Sequence, residues 1–129
     1  MTIRKHHLWH LVIFTLVLAL TLPAAYAQAQ KYEALLGVWD AETEGAQYTF
    51  VFTFKLEDGK LAGIFEGQSG EVEMQNLKFE DNRVTFTVEI DAGGQGMTID
   101  FEATIDGDSL EGQLSMEYGE APITGSKRK

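Results

Sequence analysis

Cysteine is absent from all 129 positions. No disulfide can brace the fold in an oxidising compartment, so apolar burial alone has to hold it. Histidine is almost as scarce. His6, His7 and His10 are the full set, and all precede residue 28. The rest of the chain therefore lacks the usual zinc ligands, the Ser-His and Cys-His nucleophile pairs, and the commonest general base. These absences argue against an enzyme and imply neither a metal nor a cofactor. Positive charge is in deficit too: 10 Lys and Arg against 20 Asp and Glu give a net charge of −10. Such a surface repels nucleic acid and anionic lipid. Partners are then neutral, apolar or cationic, unless the acids are simply the solvated face of strands.

What is present begins with a processing signature. Arg4 and Lys5 form a basic start, Leu8 to Leu22 an apolar run, and Ala25-Tyr26-Ala27 a small-x-small site before Gln28. The apolar run is shorter than the ~20 residues that span a bilayer, which favours a cleaved signal over an N-terminal anchor. Residues 1–27 are thus expected to be an export signal; cleavage after Ala29 also fits. No cysteine stands at the boundary, so lipid attachment there is excluded. Residues 28–129 have the length of a single domain, expected to be periplasmic or extracellular and not membrane-bound after cleavage.

The chain after this leader alternates. A single helical turn is expected at Tyr32 to Leu35, then a strand from Leu36 to Ala41. From Gln47 to Glu57, Tyr48, Phe50, Phe52, Phe54 and Leu56 share one face, with Thr49, Val51, Thr53, Lys55 and Glu57 on the other. Period-two alternation marks a half-buried antiparallel strand. The pattern recurs with Leu61, Gly63 and Phe65, with Val84 to Ile90, with Met97 to Ile105, with Leu110 to Tyr118, and from Ala121 to Lys127. Between Val72-x-Met74 and Leu77-x-Phe79 the phase slips at Gln75-Asn76, as at a β-bulge. About eight short strands with no helical period between them fit a sandwich or a closed barrel. Uniformly short connections favour the all-β, antiparallel up-and-down barrel, because a Greek key needs a long return.

In such a meander alternate loops share an end. Asp58-Gly59, Asp81-Asn82 and Asp106-Gly107-Asp108 make one end, tight and acid-led. Glu42 to Ala46, Gln68 to Gly70, Ala92 to Gly96 and Gly119-Glu120 make the other, rich in Gly and Gln. Toward the tight end lie Gly37, Gly63, Gly112 and Gly125, expected to leave room for Trp39 as a structural plug. Toward the Gly-rich end lie Tyr48, Phe50, Phe65, Met74, Met97, Met116 and Tyr118. Methionine adapts to irregular apolar shapes, so this set is the candidate ligand-binding lining.

Gly37-Val38-Trp39 on the first strand of an antiparallel meander, after a short helical turn, resembles the calycin group: lipocalins, fatty-acid-binding proteins and avidin-like barrels. The Asp-Gly-Lys-Leu-Ala-Gly and Asp-Gly-Asp-Ser-Leu-Glu-Gly segments look like those of small secreted bacterial lipocalin-like domains of unknown function. The lipocalin resemblance implies a basic side chain from the last strand over the tryptophan. Lys127 shares the parity of Ile123 and Gly125 and is the candidate; Arg128 is second. The paired Arg and Tyr with which fatty-acid-binding proteins hold a carboxylate are missing, as is an avidin-like ligand set.

Two other constellations are weaker. Asp106-Gly107-Asp108 with Glu111 resembles part of a calcium loop but lacks the spacing and the closing Glu of an EF-hand, and reads as a hairpin turn. Asp100, Glu102, Glu89 and Asp91 lie on the outward face without an aromatic cleft, which suits solvated acids better than a glycosidase pair. The expectation is a non-catalytic exported barrel binding a small hydrophobic ligand at its Gly-rich end. The alternative is a periplasmic interaction or inhibitor-type barrel with a filled core and an unknown protein partner.

Overall fold

A computed structural model describes residues 24–129. Most of the expected export signal therefore lies outside the described residues. Helix α1, Ala24–Tyr32, runs through the expected cleavage position. Its Ala-rich sequence has high helix propensity, and Lys31 in the last turn suits the helix dipole. The Tyr32 carbonyl accepts from both Leu35 N (2.9 Å) and Leu36 N (3.0 Å), which closes the helix. Where one turn was expected at Tyr32 to Leu35, a longer helix ends there. The cause is the alanine-rich stretch around the expected cleavage site, which continues the helix backward from Tyr32.

Nine strands follow: β1 Gly37–Thr43, β2 Thr49–Glu57, β3 Lys60–Gly67, β4 Gly70–Glu73, β5 Gln75–Glu80, β6 Arg83–Ala92, β7 Gln95–Asp106, β8 Ser109–Met116 and β9 Gly119–Lys127. They form one antiparallel sheet in the order β4-β3-β2-β1-β9-β8-β7-β6-β5. The β1–β9 ladder brings the first and last strands together, from Trp39↔Lys127 to Thr43↔Ile123. The ends of the order, β4 and β5, are consecutive in the chain with only Met74 between them. One bent segment thus serves as both edges of the sheet and completes an antiparallel β-barrel. The bend sits at the phase slip: Asn76 has φ of +54° and the β5–β6 register shifts between Gln75 and Lys78.

Turn chemistry explains the hairpins. Asp58 and Gly59, Asp81 and Asn82, and Gly93 and Gly94 all have positive φ in pairs, the backbone that a two-residue turn between right-twisted strands demands.

Inside, six phenylalanines form a connected set of rings. Phe86 and Phe101 stack at 4.9 Å between centroids, and Phe52 meets them at 5.3 and 5.4 Å. Phe50 and Phe65 join at 5.3 Å, and Phe54 contacts Phe86 at 6.0 Å. Each such side chain contributes about 1.5–3 kcal/mol by burial, and this replaces what disulfides would otherwise supply. The outer face carries the charges, with Arg83 paired to Glu102 and Lys55 to Glu57 at 3.0 Å.

Trp39 is fully buried and its indole Nε1 donates to the Leu35 carbonyl at 2.8 Å. Lys127 Nζ lies 5.6 Å from the centre of the indole. The expected ring of four glycines around Trp39 does not form. A Cβ on Gly37 would meet Lys127 Cε at 3.0 Å, so Gly37 does make room for the stacked lysine. The space over Gly63 is taken by the Met74 sulfur instead. Gly112 and Gly125 lie against the backbone of the neighbouring strands, at Glu102 and Asp40. Gly112 and Gly125 relieve crowding between adjacent strands of a tightly curled sheet, and Gly63 makes room for Met74; none of the three makes room for the tryptophan.

Candidate binding mouth

The two ends of the barrel differ in how far the ladders run. At the Trp39 end they run out to the turns: β2–β3 reaches Glu57↔Lys60, β5–β6 reaches Glu80↔Arg83 and β7–β8 reaches Asp106↔Ser109. Leu35 and Trp39 fill that end, and Tyr32 of α1 meets Phe79 at 6.4 Å. At the opposite end the ladders between hairpins stop early. The β2–β3 ladder ends at Val51↔Glu66, β5–β6 at Gln75↔Thr87, β7–β8 at Asp100↔Ser115 and β1–β9 at Thr43↔Ile123. The hairpins themselves continue, to Glu42↔Thr49, Gly67↔Gly70, Ala92↔Gln95 and Met116↔Gly119. The sheet therefore divides into four hairpin fingers around an open mouth.

This corrects the source of the asymmetry expected from loop length. Gln68-Ser69, Gly93-Gly94 and Glu117-Tyr118 are two-residue turns, as tight as those at the closed end. Only the β1–β2 connection, with its 3-10 turn at Glu44–Ala46, is longer.

The mouth is apolar. Phe50, Val72, Ile90, Met97, Met116 and Ala121 are partly buried and pack on the core below, and Ile90 pairs with Met97 across β6 and β7. Beneath them Phe52, Phe65, Val88, Ile99, Phe101 and Leu114 are buried. Among the described residues no buried side-chain nitrogen or oxygen lacks a hydrogen-bond partner, so no polar handle waits inside. The same residues hold no cluster of three His, Cys, Asp or Glu suited to a metal ion.

The residues expected to line a ligand site divide into three groups. Phe50, Met97 and Met116 stand in the mouth. Phe65 and Met74 are buried below it, Phe65 against Phe50 and Phe101, and Met74 over Gly63. Tyr48 and Tyr118, expected to face inward, are 48% and 85% exposed. Tyr48 precedes β2; it exchanges backbone hydrogen bonds with Thr43, accepting from its N at 2.9 Å and donating to its Oγ1 at 3.0 Å. Tyr118 belongs to the β8–β9 turn. Alternation ceases at a strand end, so extending it by two residues misplaces both side chains. Val72, Ile90 and Ala121 were missed as mouth residues, although each has the inward parity of its strand.

A concavity of about 680 Å³ lies elsewhere. It spans the outer face of β9, β1, β2 and β3, between Asp40, Glu42, Glu66 and Ser126, and touches the mouth only at Phe50. Asp40 is held there by Arg128, through Nε at 3.1 Å and a terminal nitrogen at 2.5 Å. That hydrogen bond lowers the Asp40 pKa, opposed by burial and aided by the charge of Arg128. Asp40, Glu42 and Glu66 stand along this outer concavity, whereas the inward layer at the mouth is apolar throughout, so the mouth is the better candidate for an apolar guest. A second concavity, about 440 Å³, opens where β7 and β8 part, between Gly96, Met97 and Thr98 on one side and Met116, Glu117 and Tyr118 on the other. A third, about 370 Å³, lies over the outer face near Thr87, whose hydroxyl donates to Asp100 at 2.7 Å.

No protein-family model and no curated protein matches the chain. Two solved structures are similar to it. A variant of the fluorescent protein UnaG matches at 11% sequence identity and a TM-score of 0.46, over 75% of this chain and 98% of that one. Fatty-acid-binding protein 1 of Echinococcus granulosus matches at 16% identity and a TM-score of 0.44, over 75% and 99%.

Proposed function

We propose that the chain is an exported, non-catalytic, calycin-like barrel that takes a small apolar ligand in its open mouth. The carrying observation is the layer of half-exposed Phe50, Ile90, Met97 and Met116, which hold apolar surface in contact with water at one end of the barrel. A guest that covers it recovers the free energy of burying that surface, about 25 cal/mol per Å². The phenylalanine cluster fills the space below. The ligand is therefore small, or binds across the mouth with part of it outside.

Nile red tests this reading, because a neutral dye is not repelled by the acidic surface. Binding should shift its emission to the blue, apolar lipids should displace it, and Met97→Asp should abolish the signal. Absence of binding would favour the second reading, a barrel with a filled core acting as an interaction or inhibitor module. That reading is supported by the contiguous ring contacts of Phe50, Phe52, Phe65, Phe86 and Phe101.

A further inference from the structure

The parting of β7 from β8 leaves backbone groups facing a cleft. Ile105 N donates to Asn82 O at 2.7 Å, so the odd-numbered residues of β7 bond to β6. In an antiparallel strand alternate residues bond to alternate neighbours, so the even-numbered ones bond to β8. This holds from Asp106 to Asp100, where the β7–β8 ladder ends. Gly96 and Thr98 lie beyond it, in β7 and paired to β6 by register, with no β8 partner. Their N–H and C=O groups point into the cleft of about 440 Å³. Proline or lysine, which commonly protect an exposed sheet edge, are both absent from β7.

The cleft's walls define what fits. Met97 and Met116 offer adaptable apolar contact, and Tyr118 is 85% exposed beside them. Exposed aromatics and methionines are enriched where proteins meet other chains. Asp100 and Glu117 line the cleft, and no Lys, Arg or His occurs from residue 84 to residue 126. We propose that this edge receives an extended cationic peptide segment by strand addition. Main-chain hydrogen bonds would run to Gly96 and Thr98, a side chain would lie against Met97 and Met116, and basic groups would face Asp100 and Glu117. A second copy of this acidic chain is disfavoured by charge.

The test uses a labelled synthetic peptide of alternating lysine and valine, followed by anisotropy with the full folded domain. Binding is expected to weaken with salt and to be absent for a glutamate-valine peptide. Methylating the backbone nitrogens of the lysine-valine peptide should weaken binding by about tenfold or more, because the strand hydrogen bonds are then lost. Thr98→Pro removes a donor from the cleft without touching the β6 ladder and should do the same, with the Nile red signal of the mouth retained as a check on folding. If that variant does not fold, the methylated peptide alone decides. No binding, equal binding of the methylated peptide, or a dimer in solution whose dissociation follows Thr98→Pro would each overturn the proposal. A failure here leaves the mouth's dye binding intact, so the two readings fall separately.

Discussion

The ammonium of Lys127, on the last strand, stands 5.6 Å from the indole centre of Trp39, on the first. The same two residues are register partners at the end of the β1–β9 ladder that joins the first and last strands. A cation over an indole contributes about 0.5–2 kcal/mol, depending on how dry the site is. The lysine stem also covers Gly37, so the contact packs as well as attracts. Lys127→Ala should therefore cost about 1–2 kcal/mol, whereas Lys127→Arg should cost under about 0.5 kcal/mol. Urea midpoints of the two variants check this.

Trp39 also supplies the donor for the Leu35 carbonyl, at 2.8 Å and fully buried. Phenylalanine keeps most of the ring but leaves that carbonyl unpaired. Trp39→Phe should lose about 1–3 kcal/mol, and Trp39→Ala about 3–5 kcal/mol through the added cavity. Equilibrium denaturation followed by circular dichroism measures both.

Gly112 tests the reading that interior glycines serve strand crowding. A Cβ there would fall 1.9 Å from the Glu102 carbonyl oxygen and 2.5 Å from Ala103 Cα, both backbone atoms that cannot turn aside. Gly112→Ala should destabilise by about 3 kcal/mol. Gly63→Ala should cost less, about 1–2 kcal/mol, because its obstacle is the flexible Met74 side chain. Equal costs would contradict the distinction.

The Asp40–Arg128 pair gives a signed pH dependence. Its hydrogen bond lowers the folded pKa of Asp40 below its ordinary value. A depressed carboxylate pKa stabilises the fold above the unfolded pKa, near ~3.9, and that contribution disappears as pH falls through the folded value. Asp40→Asn should flatten this part of the acid limb of the stability curve and leave neutral and alkaline pH dependence unchanged. The pair is exposed, so the effect is small and shrinks with salt. Thermal midpoints of the variant and parent across the acid range show it.

Local pattern carried much of this fold. Alternation located the strands, Asp58-Gly59 and Asp81-Asn82 located turns, and the slip at Gln75-Asn76 located the bend that lets one segment form both edges. The lipocalin resemblance implied a basic residue over Trp39, and inward parity selected Lys127 ahead of Arg128 for that place. The mouth was harder, for a physical reason. Its opening comes from where ladders between hairpins stop, and that depends on the stagger of strands distant in sequence. Loop composition pointed to the end where the ladders stop early, but by way of loop length, which is not the cause. Tyr48 and Tyr118 failed because side-chain alternation says nothing about where pairing ends; Glu117-Tyr118 is an unremarkable dipeptide that becomes a turn because Met116 pairs with Gly119.

In the proposed function the barrel is closed at Trp39 and takes an apolar guest at Met97. Amide hydrogen exchange with and without Nile red tests it directly. Fast exchange is expected at the open-end hairpin tips around residues 68–69, 93–94 and 117–118, and slow exchange around residues 37–41 and 101–105. Added dye should slow exchange in the stretches that carry Ile90, Met97 and Met116 and leave the Trp39 stretch unchanged. Protection by dye at the Trp39 end, or bound dye with no protection at the mouth, would contradict it.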